Sequence, residues 1–248
     1  MPEISVVLPA YDEEANIGDT LEEVGGFLAG LGLEHEILVV DDGSRDRTAA
    51  VVEGLAAVRP GVRLLRHPVN RGYGAALRTG FAAARGRWIF FMDADGQFDV
   101  RDLTRFLALR EEADVLVGYR ARRRDGPLRL LNAAGWNALV RLVLGVRVRD
   151  VDCAFKLIRA DFLRRVRLAS AGAAINAELL ARLSALGCRL VELPVRHYPR
   201  TAGRATGNDP RVVLRAFREL LRLAAELRQP AAGERRPAAG LRRREPPR

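Results

Sequence analysis

Apolar and polar positions alternate in blocks through the first half of the chain. Ile4-Ser-Val-Val-Leu-Pro9 is a β-rich apolar run that stops at a proline. Asp12, Glu13, Glu14 and Asn16 then open a helical pattern that continues to about Ala29. Glu36-Ile-Leu-Val-Val-Asp41 is a second run, ended by Asp-Asp-Gly-Ser and followed by a helical pattern over Asp46 to Val58. Val62-Arg-Leu-Leu predicts a third strand, Gly72 to Arg85 a helix, and Arg87-Trp-Ile-Phe-Phe-Met92 a fourth strand. Strand and helix alternating over short links predict an α/β domain with a mainly parallel sheet flanked by helices. The strands are continuous apolar runs, as strands buried on both faces are. Ligands of such sheets sit at the carboxyl ends of the strands, where every polar cluster below falls.

The second half is less regular. Asp114-Val-Leu-Val-Gly118 predicts a fifth strand, and the Arg- and Gly-rich residues 119–127 a mobile link. Leu128 to Leu144 has a helical pattern, Val148 to Ile158 is strand-like, Ala173 to Leu186 is helical, Leu190 to Val195 is a strand and Arg211 to Arg228 a helix. No internal repeat is visible. From Gln229 on, Pro, Gly, Ala and Arg dominate. We therefore divide the chain into one domain over 1–228 and a disordered tail over 229–248.

Composition narrows the class. With 248 residues, 48% hydrophobic and 29% charged, the chain has apolar mass for a real core, which excludes a wholly disordered protein. The longest uncharged stretch, Leu130 to Val140, has eleven residues, short of the roughly 20 a membrane-spanning helix needs. No basic segment precedes an apolar stretch at the N-terminus, so a cytoplasmic protein is expected. Cys153 and Cys188 predict reduced packing residues. The net charge is +10, and 40 of the 41 basic residues are arginine, Lys156 being the exception. That bias points to genome composition more than to nucleic-acid binding. Six Arg and two Glu place +4 of the charge in the tail. The moderately basic body still suits an anionic partner: a nucleotide, a phosphate or an acidic membrane surface.

Three clusters carry candidate chemistry. In Phe91-Met-Asp93-Ala94-Asp95-Gly-Gln97 two carboxylates alternate at the end of a buried strand. Like charges buried together need a cation, and oxygen ligands of this kind suit Mg²⁺ or Mn²⁺ bound with substrate phosphates. In Val39-Val40-Asp41-Asp42-Gly43-Ser44 a strand-end carboxylate can accept from ribose hydroxyls or a base N–H. In Leu8-Pro9-Ala-Tyr11-Asp12-Glu13-Glu14, Tyr11 offers a stacking face and Glu13 an acceptor. Taken singly, each is equally well a helix-entry turn with capping or first-turn acids. His35, His67 and His197 are too far apart in sequence to suggest a histidine metal site.

Taken together, the clusters resemble glycosyltransferase family 2, whose members have the GT-A fold. The similarity is greatest to its dolichyl-phosphate mannosyltransferase and polyprenyl-phosphate branch. The matching residues include Pro9-Ala-Tyr11-Asp-Glu13, Val40-Asp41-Asp42-Gly43-Ser44, Asn70-Arg71-Gly72-Tyr73-Gly74, Asp93-Ala94-Asp95-Gly-Gln97, Gly118-Tyr119-Arg120, Asp152-Cys-Ala-Phe155-Lys156-Leu and Glu192-Leu-Pro194-Val195. The resemblance implies that Pro9, Tyr11, Glu13, Val40 and Asp42 line the base and ribose of a nucleotide-sugar. It implies that Asp93, Ala94, Asp95 and Gln97 meet the diphosphate, with Asp93, Asp95 and Gln97 holding Mg²⁺ or Mn²⁺. Arg120 and Arg200 would contact the diphosphate or the acceptor phosphate. Where the family has a lysine after the Arg200 position, this chain has Thr206, with Arg204 as a nearby substitute.

The implied reaction is metal-dependent sugar transfer, with inversion, from a GDP- or UDP-linked donor to a polyprenyl or dolichyl phosphate. Asp95, Asp152, Arg120 and Arg200 are the expected catalytic residues. A lipid phosphate is already largely ionised, its second pKa being about 6, so no base is required. For a saccharide or other hydroxyl acceptor, the runner-up, Asp150, Asp152 and Glu178 are candidate bases, Asp152 first. The basic amphipathic pattern of Arg211 to Arg228 fits peripheral contact with an anionic membrane at the inner face of the cell membrane, or equally a helix packed on the core. A nucleic-acid-binding protein is the distant alternative, disfavoured because no aromatic-basic platform is present; no specific nucleic-acid partner is expected. A dinucleotide oxidoreductase is disfavoured because the first turn lacks a Gly-x-Gly-x-x-Gly run.

Overall fold

The computed structural model describes residues 1–121, 127–200, 202, 210–228 and 243–244. Strands β1 (Ile4–Ala10), β2 (His35–Asp41), β3 (Val62–Arg66) and β4 (Trp88–Met92) alternate with helices α1 (Ile17–Gly30), α2 (Thr48–Val58) and α3 (Tyr73–Ala83). A 3₁₀ turn at Val100–Asp102 leads into α4 (Leu103–Ala108). There follow β5 (Val115–Arg120), α5 (Pro127–Leu144), β6 (Phe155–Arg159), α6 (Ala160–Leu163), α7 (Ile175–Ala185), β7 (Leu190–Val195), α8 (Pro210–Arg228) and the two-residue β8 (Arg243–Arg244).

The sheet order is β3-β2-β1-β4-β6-β5-β7-β8. All pairings are parallel except those of β6, which runs antiparallel to both β4 and β5. The mainly parallel sheet read from the chain is therefore present, with one reversed strand inside it. That reversal matters for chemistry. The amino end of β6 meets the carboxyl ends of β1, β2, β4, β5 and β7, so residues 150–154 arrive beside the exit of β4, with Met92 opposite Phe155.

Every residue of β1 and β4 is buried, as their unbroken apolar runs require. Phe155 gathers an aromatic cluster, its ring centroid 4.7 Å from Phe90, 5.0 Å from Phe106 and 5.7 Å from Phe98. Gly80 of α3 lets that helix lie against the sheet: a Cβ there would stand 2.3 Å from Val7 Cγ1 and 3.2 Å from Val40 Cγ2.

Several boundaries differ from the reading of the chain. The first helix begins at Ile17 rather than Asp12, because Asp12, Glu13 and Glu14 donate their amides to side chains of the β2–α2 loop. Of the strand-like Val148 to Ile158, only the part from Phe155 on pairs in the sheet. The residues before it form a turn in which the Cys153 amide donates to the Asp150 carbonyl. The turn at Val100–Asp102, α4 and α6 were not foreseen. Of the predicted tail, Arg243–Arg244 pair in parallel with Leu190 and Val191, and the rest lies outside the described residues. The predicted mobile link at 119–127 falls mostly on residues 122–126, also outside them.

Three buried carboxylates brace the frame. Glu36 accepts from Ser5 Oγ at 2.6 Å, the Arg85 amide at 2.7 Å and Arg63 Nη1 at 2.9 Å. Asp102 accepts the Arg196 amide at 2.6 Å, and Asp114 the Arg189 amide at 2.9 Å. Burial would raise each carboxyl, but these donors outweigh it and hold all three below their ordinary values of 4.5 for Glu36 and 3.8 for the aspartates. A carboxylate depressed in the folded state contributes stability above its unfolded pKa and loses it as pH falls through the folded one. The melting temperature is therefore expected to hold near neutrality and fall below about pH 4. Asp114→Asn should melt lower at pH 7 and lose less on acidification. An unchanged acid slope in that variant, read by thermal denaturation at a series of pH values, would count against this bracing.

Candidate functional site

The chain exits β4 into Asp93-Ala94-Asp95-Gly96-Gln97. Ala94 is buried and its carbonyl accepts from Thr20 Oγ1 of α1 at 3.3 Å. Burial first, and then the neighbouring Asp95 carboxylate, push the Asp93 carboxyl well above its ordinary value; the Tyr73 hydroxyl, Arg120 and Lys156 pull it back. Gln97 Nε2 donates to the Tyr198 carbonyl at 2.8 Å, which fixes the side chain and assigns its other terminal atom as an acceptor oxygen.

The exits of β1 and β2 are interlaced. Asp12, in the left-handed region at φ 54°, donates its amide to Ser44 Oγ at 3.0 Å and accepts the Arg45 amide at 2.8 Å. Glu13 donates to Thr48 Oγ1 at 2.8 Å and Glu14 to Asp46 Oδ2 at 3.0 Å. Tyr11 is left half-buried at the mouth of this junction, where a ring can stack. Asp41 Oδ1 accepts the Ser44 amide at 3.0 Å, closing the turn after β2.

Asp42 is directed inward. Its Oδ1 lies 2.6 Å from His67 Nδ1 and accepts the Arg71 amide at 3.0 Å, while Oδ2 accepts the Gly72 amide at 2.7 Å. The carboxylate thus organises the Asn70-Arg71-Gly72-Tyr73-Gly74 segment. Gly72 stands at φ 101°, and a Cβ there would meet the Ala171 carbonyl at 2.4 Å, so the segment can only pass this close to the 169–172 loop through a glycine. Val40 packs its side chain under α3 and shows none of it to the cleft.

Arg200 joins the two acidic clusters. Its Nη2 pairs with Glu13 Oε1, its Nη1 lies 3.5 Å from Asp95 Oδ2, and its Nε donates to the Ala202 carbonyl at 2.6 Å. Glu13 also accepts from Asn16 Nδ2 at 2.7 Å; burial nonetheless raises its carboxyl above the ordinary value. One guanidinium in the segment after β7 therefore joins the segments that follow β1 and β4.

The opposite wall comes from β5 and the turn before β6. Arg120 makes a two-pronged pair with Asp150, Nε to Oδ2 at 2.7 Å and Nη2 to Oδ1 at 2.8 Å. Burial opposes the charge on Arg120, but Asp150 outweighs it and raises its pKa. Asp152 Oδ1 accepts from Trp136 Nε1 of α5 at 3.1 Å; burial raises its carboxyl, Lys156 opposing and Asp150 adding. The Tyr73 hydroxyl is enclosed beside Asp93 and Asn176, aligned fully with neither.

The expected residues are thus unevenly placed. Glu13, Asp95 and Arg200 meet directly, and Asp93 adjoins them. Asp152 and the Arg120–Asp150 pair form a second group, in which the Arg120 charge acts on both Asp93 and Asp152. Glu178 is buried, accepts the Ala169 and Ser170 amides and pairs with Arg182, donors that overcome burial and lower its carboxyl. Arg204 and Thr206 lie outside the described residues. The His197 ring packs edge-on against Phe98, 5.0 Å between centroids. Tyr73, Asn176 and Trp136 were not foreseen as site residues. Tyr73 lies within a quoted motif, whereas Asn176 and Trp136 carry no local signal.

Among the described residues no three Asp, Glu, His or Cys side chains converge as a cation cage. Two carboxylates with an amide oxygen are the donor set of an ion that completes its shell with substrate phosphates. Burial and the adjoining Asp95 carboxylate both raise the Asp93 carboxyl, so a cation at this corner would favour its ionised form. On both counts the residues fit Mg²⁺ or Mn²⁺.

The sequence profile of glycosyl transferase family 2 matches residues 5–167. Dodecaprenyl-phosphate galacturonate synthase of Rhizobium johnstonii is 35% identical over 176 residues, covering 67% of this chain and 50% of its own. A dolichyl-phosphate beta-glucosyltransferase of Trichomonas vaginalis is 31% identical over 211 residues, covering 77% of this chain and 64% of its own. The chain therefore spans between half and two thirds of the length of these relatives. Glucosyl-3-phosphoglycerate synthase from Mycobacterium tuberculosis, crystallised with Mn²⁺, uridine-diphosphate and phosphoglyceric acid, superposes with a TM-score of 0.68 at 26% identity, covering 94% of this chain and 81% of that one. The fold is that of the GT-A glycosyltransferases. With its sheet, its acidic strand end and more than half its length matched, this chain belongs to glycosyl transferase family 2.

Proposed function

We propose that this chain transfers a sugar from a GDP- or UDP-linked donor to a polyprenyl or dolichyl phosphate, with inversion at the anomeric carbon. The observation that carries the reading is the Asp93–Asp95 pair, a concentration of buried negative charge bridged to Glu13 by Arg200. The names of the relatives supply the acceptor class: a dodecaprenyl phosphate in one, a dolichyl phosphate in another. Tyr11 and the β1–β2 junction receive the nucleoside.

In the reaction an acceptor oxygen forms the new bond at the anomeric carbon. The bond to the nucleoside diphosphate breaks, and its electron pair leaves with the diphosphate. Asp93, Asp95 and the Gln97 oxygen would hold Mg²⁺ or Mn²⁺, which supplies neutralisation of diphosphate charge when bound. Arg200 has an anionic partner on either side of donor binding, first Glu13 and Asp95, then the diphosphate. An acceptor phosphate needs no proton removed, so Asp152 acts by position and charge. A second reading, transfer to a hydroxyl, is favoured by the likeness to a synthase crystallised with phosphoglyceric acid. Asp152, its carboxyl raised by burial, is then the base.

Among the described residues no helix is long and apolar enough to cross a membrane. Leu214, Phe217 and Leu221 form one exposed stripe on α8, flanked by exposed Arg218 and Arg222. Leu131 and Leu142 are exposed on α5, which meets α8 where Trp136 and Phe217 stand 5.8 Å apart. Apolar residues with arginines beside them suit the interface of an anionic bilayer. Peripheral attachment to such a bilayer, at the inner face of the cell membrane, is part of this reading.

Turnover should appear in a donor panel with Mn²⁺ or Mg²⁺, as nucleoside diphosphate released only when a short polyprenyl phosphate is present. Release that ignores the lipid but rises with a hydroxyl acceptor would transfer support to the second reading. Asp95→Ala should lower kcat by about 100-fold or more while melting like the parent; full activity of that variant in chelator would defeat the metal assignment. Paired Leu214→Ser and Leu221→Ser changes should weaken co-sedimentation with phosphatidylglycerol vesicles and leave turnover of a short-chain acceptor unchanged. Equal sedimentation would remove α8 from the membrane contact.

A further inference from the structure

Lys156 is the one lysine in a chain whose other 40 basic residues are arginine. It is also the one basic side chain among the described residues that is completely buried. It lies on β6 with Phe91 of β4 on one side and Val117 of β5 on the other. An ammonium is disfavoured in such an interior unless its three N–H groups all find acceptors. They do: Nζ donates to the Val151 carbonyl at 3.1 Å, to the Cys153 carbonyl and to Asn176 Oδ1 at 2.9 Å. The Phe91 ring faces it at 5.3 Å.

The identity of those acceptors is informative. None is a carboxylate, so Lys156 is not one half of a direct ion pair. Two are the carbonyls on either side of Asp152, and the third is the side chain beside Tyr73, which in turn adjoins Asp93. The charge is nonetheless felt by Asp93, Asp150 and Asp152, and burial lowers the lysine's own pKa against their pull. A guanidinium carries five N–H donors in a plane and would leave two unmet in a three-acceptor cage. A chain that otherwise uses arginine throughout keeps the compact cation at the place where only a compact cation is matched.

We propose that Lys156 is a positioning residue for sugar transfer, its buried ammonium clamping the Val151–Cys153 turn so that Asp152 and the Arg120–Asp150 pair face the acidic end of β4. The proposal rests on the glycosyl-transfer reading above. It assigns Lys156 no contact with donor or acceptor, so its removal should act on kcat and spare donor affinity.

Lys156→Met and Lys156→Arg test it in the full chain, with three readouts. Circular dichroism and melting report the fold. Hydrogen exchange over residues 149–158 reports the turn. Steady-state turnover, with titration of nucleoside diphosphate and Mn²⁺, separates kcat from binding. In the Met variant, amides of the turn should exchange faster, kcat should fall on the order of 10–100-fold, and donor KM should stay within about twofold. The Arg variant should lie between, keeping the charge and losing the fit. A folded Met variant with parental exchange and kcat overturns the proposal. Loss of donor KM in proportion to kcat also overturns it, because that is the mark of general disruption. Should the Met variant not fold, an Arg variant with parental exchange and kcat overturns the three-acceptor clamp. Should the parent turn over no donor, the transfer reading fails by itself, and exchange in the turn still decides the clamp.

Discussion

Two carboxylates one residue apart at the end of a buried strand set the terms for everything around them. In a low-dielectric interior a carboxylate disfavours its own ionisation and a like-charged neighbour adds to that cost: burial first, and Asp95 second, raise the Asp93 carboxyl. Charge compensation is supplied from outside the strand. Arg200 reaches Asp95 from the segment after β7, and Lys156 and Arg120 act on Asp93 from β6 and β5. The compensation is partial, and each cation is also committed elsewhere. That residual negative charge is the property a divalent ion with a diphosphate exploits in the function proposed.

Rigidity around this corner comes from exchange of backbone groups between loops. The β1 exit is held by Ser44, Asp46 and Thr48 of the β2 exit, and Asp42 holds the amides of Arg71 and Gly72. Gly74 in turn donates to the Ala171 carbonyl, and Glu219 of α8 accepts the Ala171 and Gly172 amides. A contiguous set of hydrogen bonds therefore runs from the exposed helix α8 to the edge of the sheet. Loops secured in this way spend few donors on solvent, and the side chains they carry keep fixed directions.

The reversed strand β6 is the topological feature on which the second wall depends. Were β6 parallel to its neighbours, residues 150–154 would lie at the far edge of the sheet, away from Asp93. Reversal delivers Asp150, Asp152 and the carbonyls that hold Lys156 to the same edge as the strand exits. Trp136 adds α5 to that wall through Asp152, and Phe217 joins α5 to α8. The surface proposed to meet a membrane is thus mechanically close to the candidate acceptor side.

Much of the architecture was legible along the chain, because the signals are local. Unbroken apolar runs ending in Asp or Pro mark strands buried on both faces, and period and spacing alone located β1 to β5 and β7 with helices α1, α2, α3, α5 and α7. The acidic cluster at Asp93 and Asp95 was legible for the same reason: a strand end and its two carboxylates lie within seven residues of sequence. What sequence could not decide was which charged groups meet. Arg120 pairs with Asp150, Glu178 accepts the amides of Ala169 and Ser170, and Asp42 accepts those of Arg71 and Gly72. Each pairing joins residues from 8 to 30 positions apart. Local pattern decides whether a side chain is buried in an element, but the free energy of a buried charge depends on its partner, and only the packed sheet and its loops bring that partner within reach.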